Sequence, residues 1–366
     1  MIPIYEPYLK GNEKKYLDNC LETNWISSQG IYIKQFESLM SKYHDSLNAI
    51  ATSNCTTALH LALKAYGIGK GDEVICPALT FISPANMVVL SGAEPRLVDI
   101  DEKTLNINPT KIEDKITEKT KAIIVVHQFG HSADMKSIMD IAHKNNLIVI
   151  EDNAESLGGY FKSKKLGTIG DISTFSFFGN KIITTGEGGA ILTTNNKIAD
   201  KCRELRDHGM SKNKKYFHTD LGYNYRMTNM QAAIGLAQLE KLDFILRKRL
   251  DQMNLYYELL NNIKEIKLRE FADWCTPVHW LMTVTLNSNF NRNKIIEKMK
   301  GFDIECRPMI NPVHHALHFK NKFRLDDFPI SNYVSENSIH LPSGTGLSNK
   351  DIIKVCDSLK KILKSD

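Results

Sequence analysis

The chain has 366 residues, 42% hydrophobic and 24% charged, with a formal net charge of +5. That length suggests two domains, or one large α/β domain with an appendage, enough to bury a core without disulfides or metals. The charges are well mixed, no basic stripe carries interleaved aromatics, and no apolar run approaches the ~18 residues that span a bilayer, which argues against nucleic-acid and membrane roles.

The N-terminus, MIPIYEPYLKGNEKKY, has no apolar core of the kind that a leader peptide needs. From about residue 45 to 195, short apolar β-rich runs alternate with helical patterns. Thr56 to Tyr66 is Ala/Leu-rich and ends at Gly67, as a helix would. Asp72–Cys76, Pro95–Ile100, Lys121–Val126 and Leu147–Ile150 read as buried strands. Between the last two of these, Asp134 to Lys144 places Met135, Ile138, Met139 and Ala142 on one helical face. Strands apolar throughout and separated by helices predict a mainly parallel sheet covered on both faces.

Ile172–Phe178 and Ala190–Thr194 read as two further strands around the Gly-rich turn Gly186–Gly189. Thr228-x-x-Gln231 is a capping box that opens a long helix, with Leu239, Leu242, Leu246, Leu250, Met253 and Tyr257 at spacings of three and four. This places the boundary between a large domain, 1–245, and a small C-terminal α+β domain, 246–366. In the latter, His279–Leu286 reads as a strand, Asn293–Lys300 as a helix, and 348–363 as a closing amphipathic helix. The seven cysteines are scattered and never form Cys-x-x-Cys. That pattern is one of free thiols and predicts a cytoplasmic protein.

In open α/β sheets, ligands bind at the carboxyl ends of strands. Asp152 stands just past one such end. Lys181 follows another, between an aromatic strand and a Gly-rich turn that together could exclude water. A lysine drawn out of water favours its neutral form and becomes a nucleophile able to form a Schiff base. A carboxylate against a pyridine nitrogen would keep that ring an electron sink. Ser53, Cys55 and Thr56, at the start of the Ala/Leu helix, offer free N–H groups to an anion, although the same cluster also reads as an ordinary helix cap. Phe81 would stack on a ring or simply pack in the core. Walker and dinucleotide-binding glycine patterns are absent. His127/His131 and His314/His318 lack an evident third ligand, so no metal is expected.

Longer blocks add to these single residues. Among them are Trp-Ile-Ser-Ser-Gln-Gly (25–30), Ser-Asn-x-Thr-x-Ala-Leu-His-Leu-Ala-Leu (53–63) and Glu-Asp-x-Ala-Glu (151–155). Gly-Asp-Ile-Ser-Thr-Phe-Ser-Phe-Phe-Gly-Asn-Lys (170–181), Thr-Thr-Gly-Glu-Gly-Gly (184–189) and Gly-Tyr-Asn-Tyr-Arg-Met-Thr-Asn (222–229) complete the series. Nearly end to end, the chain resembles the DegT/StrS family of nucleotide-sugar aminotransferases that use pyridoxal 5'-phosphate (PLP). Within it the similarity is greatest to enzymes that aminate C4 of GDP-4-keto-6-deoxymannose with L-glutamate as donor.

The resemblance implies PLP fold type I, like aspartate aminotransferase, and a homodimer with shared active sites. By position it makes Lys181 the Schiff-base lysine and Asp152 the partner of the pyridine nitrogen. Glu155 falls near the ring and its phenolic oxygen, and Phe81 lies against the ring. Ser176, with Cys55 and Thr56, would hold the phosphate, aided by Asn224 reaching from the other subunit. Arg226 would contact substrate or the donor carboxylate. Trp25, Ser27, Arg307, His314 and His315 would border the sugar and nucleotide. Cys55 stands where relatives usually have Gly, Asn153 and Ser156 flank Asp152 in place of smaller residues, and 305–315 departs from the family's usual sequence. UDP- or dTDP-linked 3- or 4-keto sugars are therefore also compatible. A sugar dehydratase on the same fold would carry His in place of Lys181.

Overall fold

The computed structural model describes residues 1–46 and 48–365. Two helices, α1 (Glu13–Glu22) and α2 (Ile31–Tyr43), lead into strand β1 (Asn48–Thr52). Then follow α3 (Cys55–Ala65), β2 (Glu73–Pro77), α4 (Ser83–Ser91), β3 (Glu94–Val98), β4 (Thr120–Val126), α5 (Met135–Asn145) and β5 (Ile148–Asp152). Two short strands, β6 (Tyr160–Phe161) and β7 (Lys164–Lys165), precede β8 (Ile172–Ser176) and β9 (Gly189–Thr193). The large sheet has seven strands in the order β1-β9-β8-β5-β4-β2-β3. It is parallel from β8 to β3, while β9 runs antiparallel to both its neighbours.

Period-2 alternation decides which helices cover which face. Ile50, Val74, Cys76, Ala122, Ile124 and Ile150 point to the side of α3, where they share one core with its Leu59 and Leu63. Ile75, Ile123, Val125 and Val149 point to the other side, against Ile138 and Ala142 of α5. On that second side, Ala49, Ala51, Phe175 and Leu192 meet Phe36 and Met40 of α2. Both faces are thus apolar, which is why the strands read as continuous hydrophobic runs.

After α6 (Asn196–Arg206), helix α7 (Asn229–Leu239) begins with the predicted capping box, and both reciprocal bonds of Thr228 and Gln231 are formed. The expected single long helix is two. The Lys241 N–H bonds the Gln238 carbonyl at 3.0 Å, a tightened turn that interrupts the helix before α8 (Leu242–Leu260). Strands β10 (Ile266–Leu268), β12 (Met282–Leu286), β13 (Arg307–Pro308) and β14 (Ser338–Leu341) form an antiparallel sheet in the order β10-β12-β14-β13. Its apolar side packs on α8, α9 (Arg292–Lys300) and α11 (Asn349–Ser365).

Several contacts join this part to the region of the large sheet, two of them in its strands and caps. Strand β11 (Cys275–Thr276) pairs with β6. The buried Asp99 carboxylate, just past β3, accepts the Ser331 N–H at 2.9 Å and so caps α10 (Pro329–Asn337). The expected strand from His279 starts only at Met282, because the carbonyls of His279 and Trp280 bond Arg249 of α8, at 3.0 and 2.9 Å, rather than a neighbouring strand.

Candidate active site

The carboxyl ends of β4, β5 and β8 open into a cavity of about 530 Å³. Asp152 is the last residue of β5 and is buried. The Ala154 N–H donates to its Oδ1 at 2.9 Å, and the Cys55 thiol lies 3.8 Å from the same oxygen. Burial raises its pKa, opposed by the Ala154 N–H and the positive charge of Lys181. A buried carboxylate held this way through one oxygen suits a cationic partner at the other.

Lys181 closes the turn after β8, its N–H on the Phe178 carbonyl at 3.0 Å. Its amine has little exposure, lies 3.6 Å from Oε1 of Glu155 and stands 3.7 Å from the centroid of the Trp280 ring. Burial pushes the Glu155 carboxyl up, opposed by Lys181 and by the Phe129 N–H, which donates to Oε2 at 2.7 Å. Beneath the site, fully buried Glu151 gathers the N–H groups of Gly167, Ile169 and Gly170 and bonds His127 at 3.0 Å. Burial alone would raise its pKa, but these hydrogen bonds bring it below the usual range.

Helix α3 points its N-terminus at the same cavity, which Asn54, Cys55 and Thr56 line. Asn54 caps the helix by accepting the Thr57 N–H at 2.9 Å. As the first two helical residues, Cys55 and Thr56 have N–H groups without intrahelical acceptors, where an anion is favoured. Gly189 of β9 permits the turn's position: a Cβ there would lie 2.4 Å from the Asn54 carbonyl carbon. Amine, carboxylate and helix N-terminus thus face one cavity large enough for a pyridine ring with a phosphate arm. The residues present fit PLP.

Of the residues singled out from the sequence, Cys55, Thr56, Phe81, Asp152, Glu155, Ser176, Lys181 and Arg307 line this cavity together. Ser53 sits behind it, bonded to Thr57 at 3.1 Å. Trp25 lines a different hollow of about 710 Å³ with Glu37 and Arg206, and the Ser27 carbonyl accepts the Asn229 N–H at 2.6 Å beside it. Within one chain, Asn224 and Arg226 bond each other at 3.0 Å, and Arg226 also pairs with Asp207 at 2.8 Å. His314 is buried against Phe328 and bonded to Asn332, and His315 is exposed. Trp280, Phe129 and His340 also line the site. Sequence reading passed over them because an aromatic or histidine beside a buried strand looks like core.

Among the described residues, no group of three or more His, Cys, Asp or Glu side chains is placed to hold a metal, and no helix is long and apolar enough to cross a membrane.

Comparison with known proteins extends these observations. A family model described as the DegT/DnrJ/EryC1/StrS aminotransferase family matches residues 7–360. The chain is 43% identical over 361 residues to a protein of Escherichia coli O157:H7 named GDP-perosamine synthase, covering 98% of each. It is 44% identical over 365 residues to one of the same name from Caulobacter vibrioides, covering 99% of this chain and 98% of that one. The PLP form of Spr1654 from Streptococcus pneumoniae, described as a sugar aminotransferase, superposes with a TM-score of 0.94 at 26% identity, over 100% of this chain and 99% of that one.

Proposed function

The chain belongs to the DegT/DnrJ/EryC1/StrS aminotransferase family, and from that premise we propose that it makes GDP-perosamine, moving the amino group of L-glutamate to C4 of GDP-4-keto-6-deoxy-D-mannose with PLP as cofactor. The product would serve surface polysaccharide synthesis, such as O-antigen, in the cytoplasm. The observation that carries the reading is that Lys181 and Asp152 open into one cavity with the N-terminus of α3.

PLP bound there supplies an electron sink for the charge left when a C–H bond beside nitrogen is broken. The rest falls to the protein. Asp152 would hold a proton on the ring nitrogen, its burial strengthening that pairing. Nζ of Lys181 would take the α-proton of glutamate, whose carbon skeleton leaves as 2-oxoglutarate once its amino group has passed on. In the second half the same amine would deliver a proton to sugar C4. Glu155, 3.6 Å from Nζ, steadies the amine whenever it is charged. Cys55, Thr56 and Ser176, which line the cavity, would hold the phosphate.

Arg307 and its neighbours Pro308 and Ile310 line the outer cavity and would meet the sugar and nucleotide, with His314 and His315 behind them. In a homodimer, Asn224 and Arg226 of each subunit would complete the other's site, and Trp25 and Ser27 would border it. With a large unit over 1–245 and a small one over 246–366, these wall residues would come from both units. Because 305–315 departs from the family's usual sequence, a UDP- or dTDP-linked 3- or 4-keto sugar is the second reading. A dehydratase is disfavoured by the presence of Lys181.

Incubation with PLP, L-glutamate and each keto sugar, followed by mass analysis, tests this. The amine of the GDP sugar is expected. Amination of only a UDP or dTDP sugar would replace the substrate, and no amination of any would remove the reading.

A further inference from the structure

Arg269 is buried and pairs with no carboxylate among the described residues. Its two terminal nitrogens donate to successive backbone carbonyls, Gln128 at 2.9 Å and Phe129 at 3.1 Å, and its Nε has no partner. The next carbonyl, Gly130, accepts the Val278 N–H at 2.9 Å. Three consecutive carbonyls at the floor of the site are therefore held by residues from the C-terminal part of the chain. Phe129 itself has φ +50°, a left-handed conformation that a bulky residue keeps only when its surroundings impose it. In that conformation its N–H meets Oε2 of Glu155 at 2.7 Å, while Oε1 lies 3.6 Å from Lys181 Nζ.

A guanidinium without a counterion is costly to bury, and a purely structural clamp on two carbonyls does not need a charge. The carboxylate whose field reaches Arg269 is Glu155, across the Phe129 peptide. The ionisable side chains around Arg269 supply no competing anion. Tyr257 and Cys275 are pushed up by burial, and His131 and His279 are held neutral, near 3, by burial and the arginine itself.

We propose that Arg269 is a positioning residue for Glu155: by fixing the Gln128 and Phe129 carbonyls it keeps the Phe129 N–H on one carboxylate oxygen, so that the other faces Lys181. This rests on the reading of Glu155 and Lys181 above, and deepens it. The positive charge passes no proton. It polarises and orients a peptide whose far end holds the acid.

The test uses Arg269→Met, Arg269→Lys, Glu155→Gln and the double variant R269M/E155Q in the full chain. In the apo protein, the Phe129 amide of Arg269→Met should exchange its hydrogen about tenfold faster than wild type, the worth of one charge-supported hydrogen bond. With PLP bound, the pH midpoint of the visible absorbance band should move in the same direction in Arg269→Met and Glu155→Gln. The double variant should move no further than Glu155→Gln alone. Additive displacements, or unchanged exchange in a folded Arg269→Met, would overturn the assignment. If Arg269→Met does not fold, Arg269→Lys decides: a displaced midpoint supports the proposal and an unaltered one defeats it. A wild type that takes up no PLP defeats the functional reading instead, and the apo exchange measurement still settles what holds the Phe129 amide.

Discussion

Nζ of Lys181 stands 3.7 Å over the Trp280 ring, and the indole N–H of Trp280 donates at 2.6 Å to the carbonyl of Asn180, the residue just before that lysine. One side chain thus both covers the amine and fixes the turn that presents it. A desolvated cation over an indole face gains about 2 kcal/mol. Trp280→Leu should therefore lower kcat by roughly tenfold or more, and Trp280→Phe by less, since it keeps a face and loses only the N–H bond. Steady-state kinetics with saturating PLP check this.

Lys181→Ala should abolish transamination while leaving the fold intact, because the turn is held by backbone bonds that the substitution keeps. Unaltered turnover in that variant, measured by product mass, would contradict the proposed function.

Asp152→Asn should weaken PLP retention and slow turnover together. Removing one partner of a buried ion pair costs about 3–5 kcal/mol, so a loss on the order of a hundredfold or more is expected. Dialysis followed by absorbance would show the first effect and single-turnover kinetics the second.

Gly189→Ala places a methyl 2.4 Å from the Asn54 carbonyl carbon and 2.7 Å from the Cys55 nitrogen. Backbone must move at the helix end proposed to hold the phosphate. Affinity for PLP should fall more than thermal stability of the apo protein does. Equal losses of both would place the damage in the strand rather than in the cradle.

Stability should decline as pH falls below about 6.5, well before carboxylates titrate. Burial holds His44 and His60 at about 4 and His131, His279 and His340 at about 3. The unfolded chain binds protons at these positions near pH 6.5, whereas the native protein does not until far lower. Unfolding therefore takes up protons between those values, and stability present above pH 6.5 is lost on acidification. Urea midpoints at pH 7.5 and 5.5 measure it. A flat profile would mean that these rings open to water in the native state.

Much of the fold could be read in advance because local and tertiary preferences agree. The β4 and β5 strands are apolar on both faces, and the Thr228/Gln231 cap announces α7. The break at Glu240–Lys241 was hidden because Leu239 and Leu242 keep the apolar spacing across it, with no Gly or Pro to mark the turn. The late start of β12 was hidden for another reason: Arg249, on a helix some thirty residues earlier, takes the carbonyls that a strand would have used. Within the site, Lys181 and Asp152 were legible as residue types at strand ends, reinforced by family blocks. Trp280 and Arg269 were not, since what they do depends on where the C-terminal part of the chain folds back.

The Lys181 peptide is gripped from both directions of the sequence. The Tyr5 hydroxyl donates to its carbonyl, and Trp280 donates to the carbonyl before it. Tyr5 leaves the ribosome long before the lysine, and Trp280 only a hundred residues after Asn180. A nascent chain that has completed its seven-stranded sheet therefore still lacks the indole that covers its reactive amine.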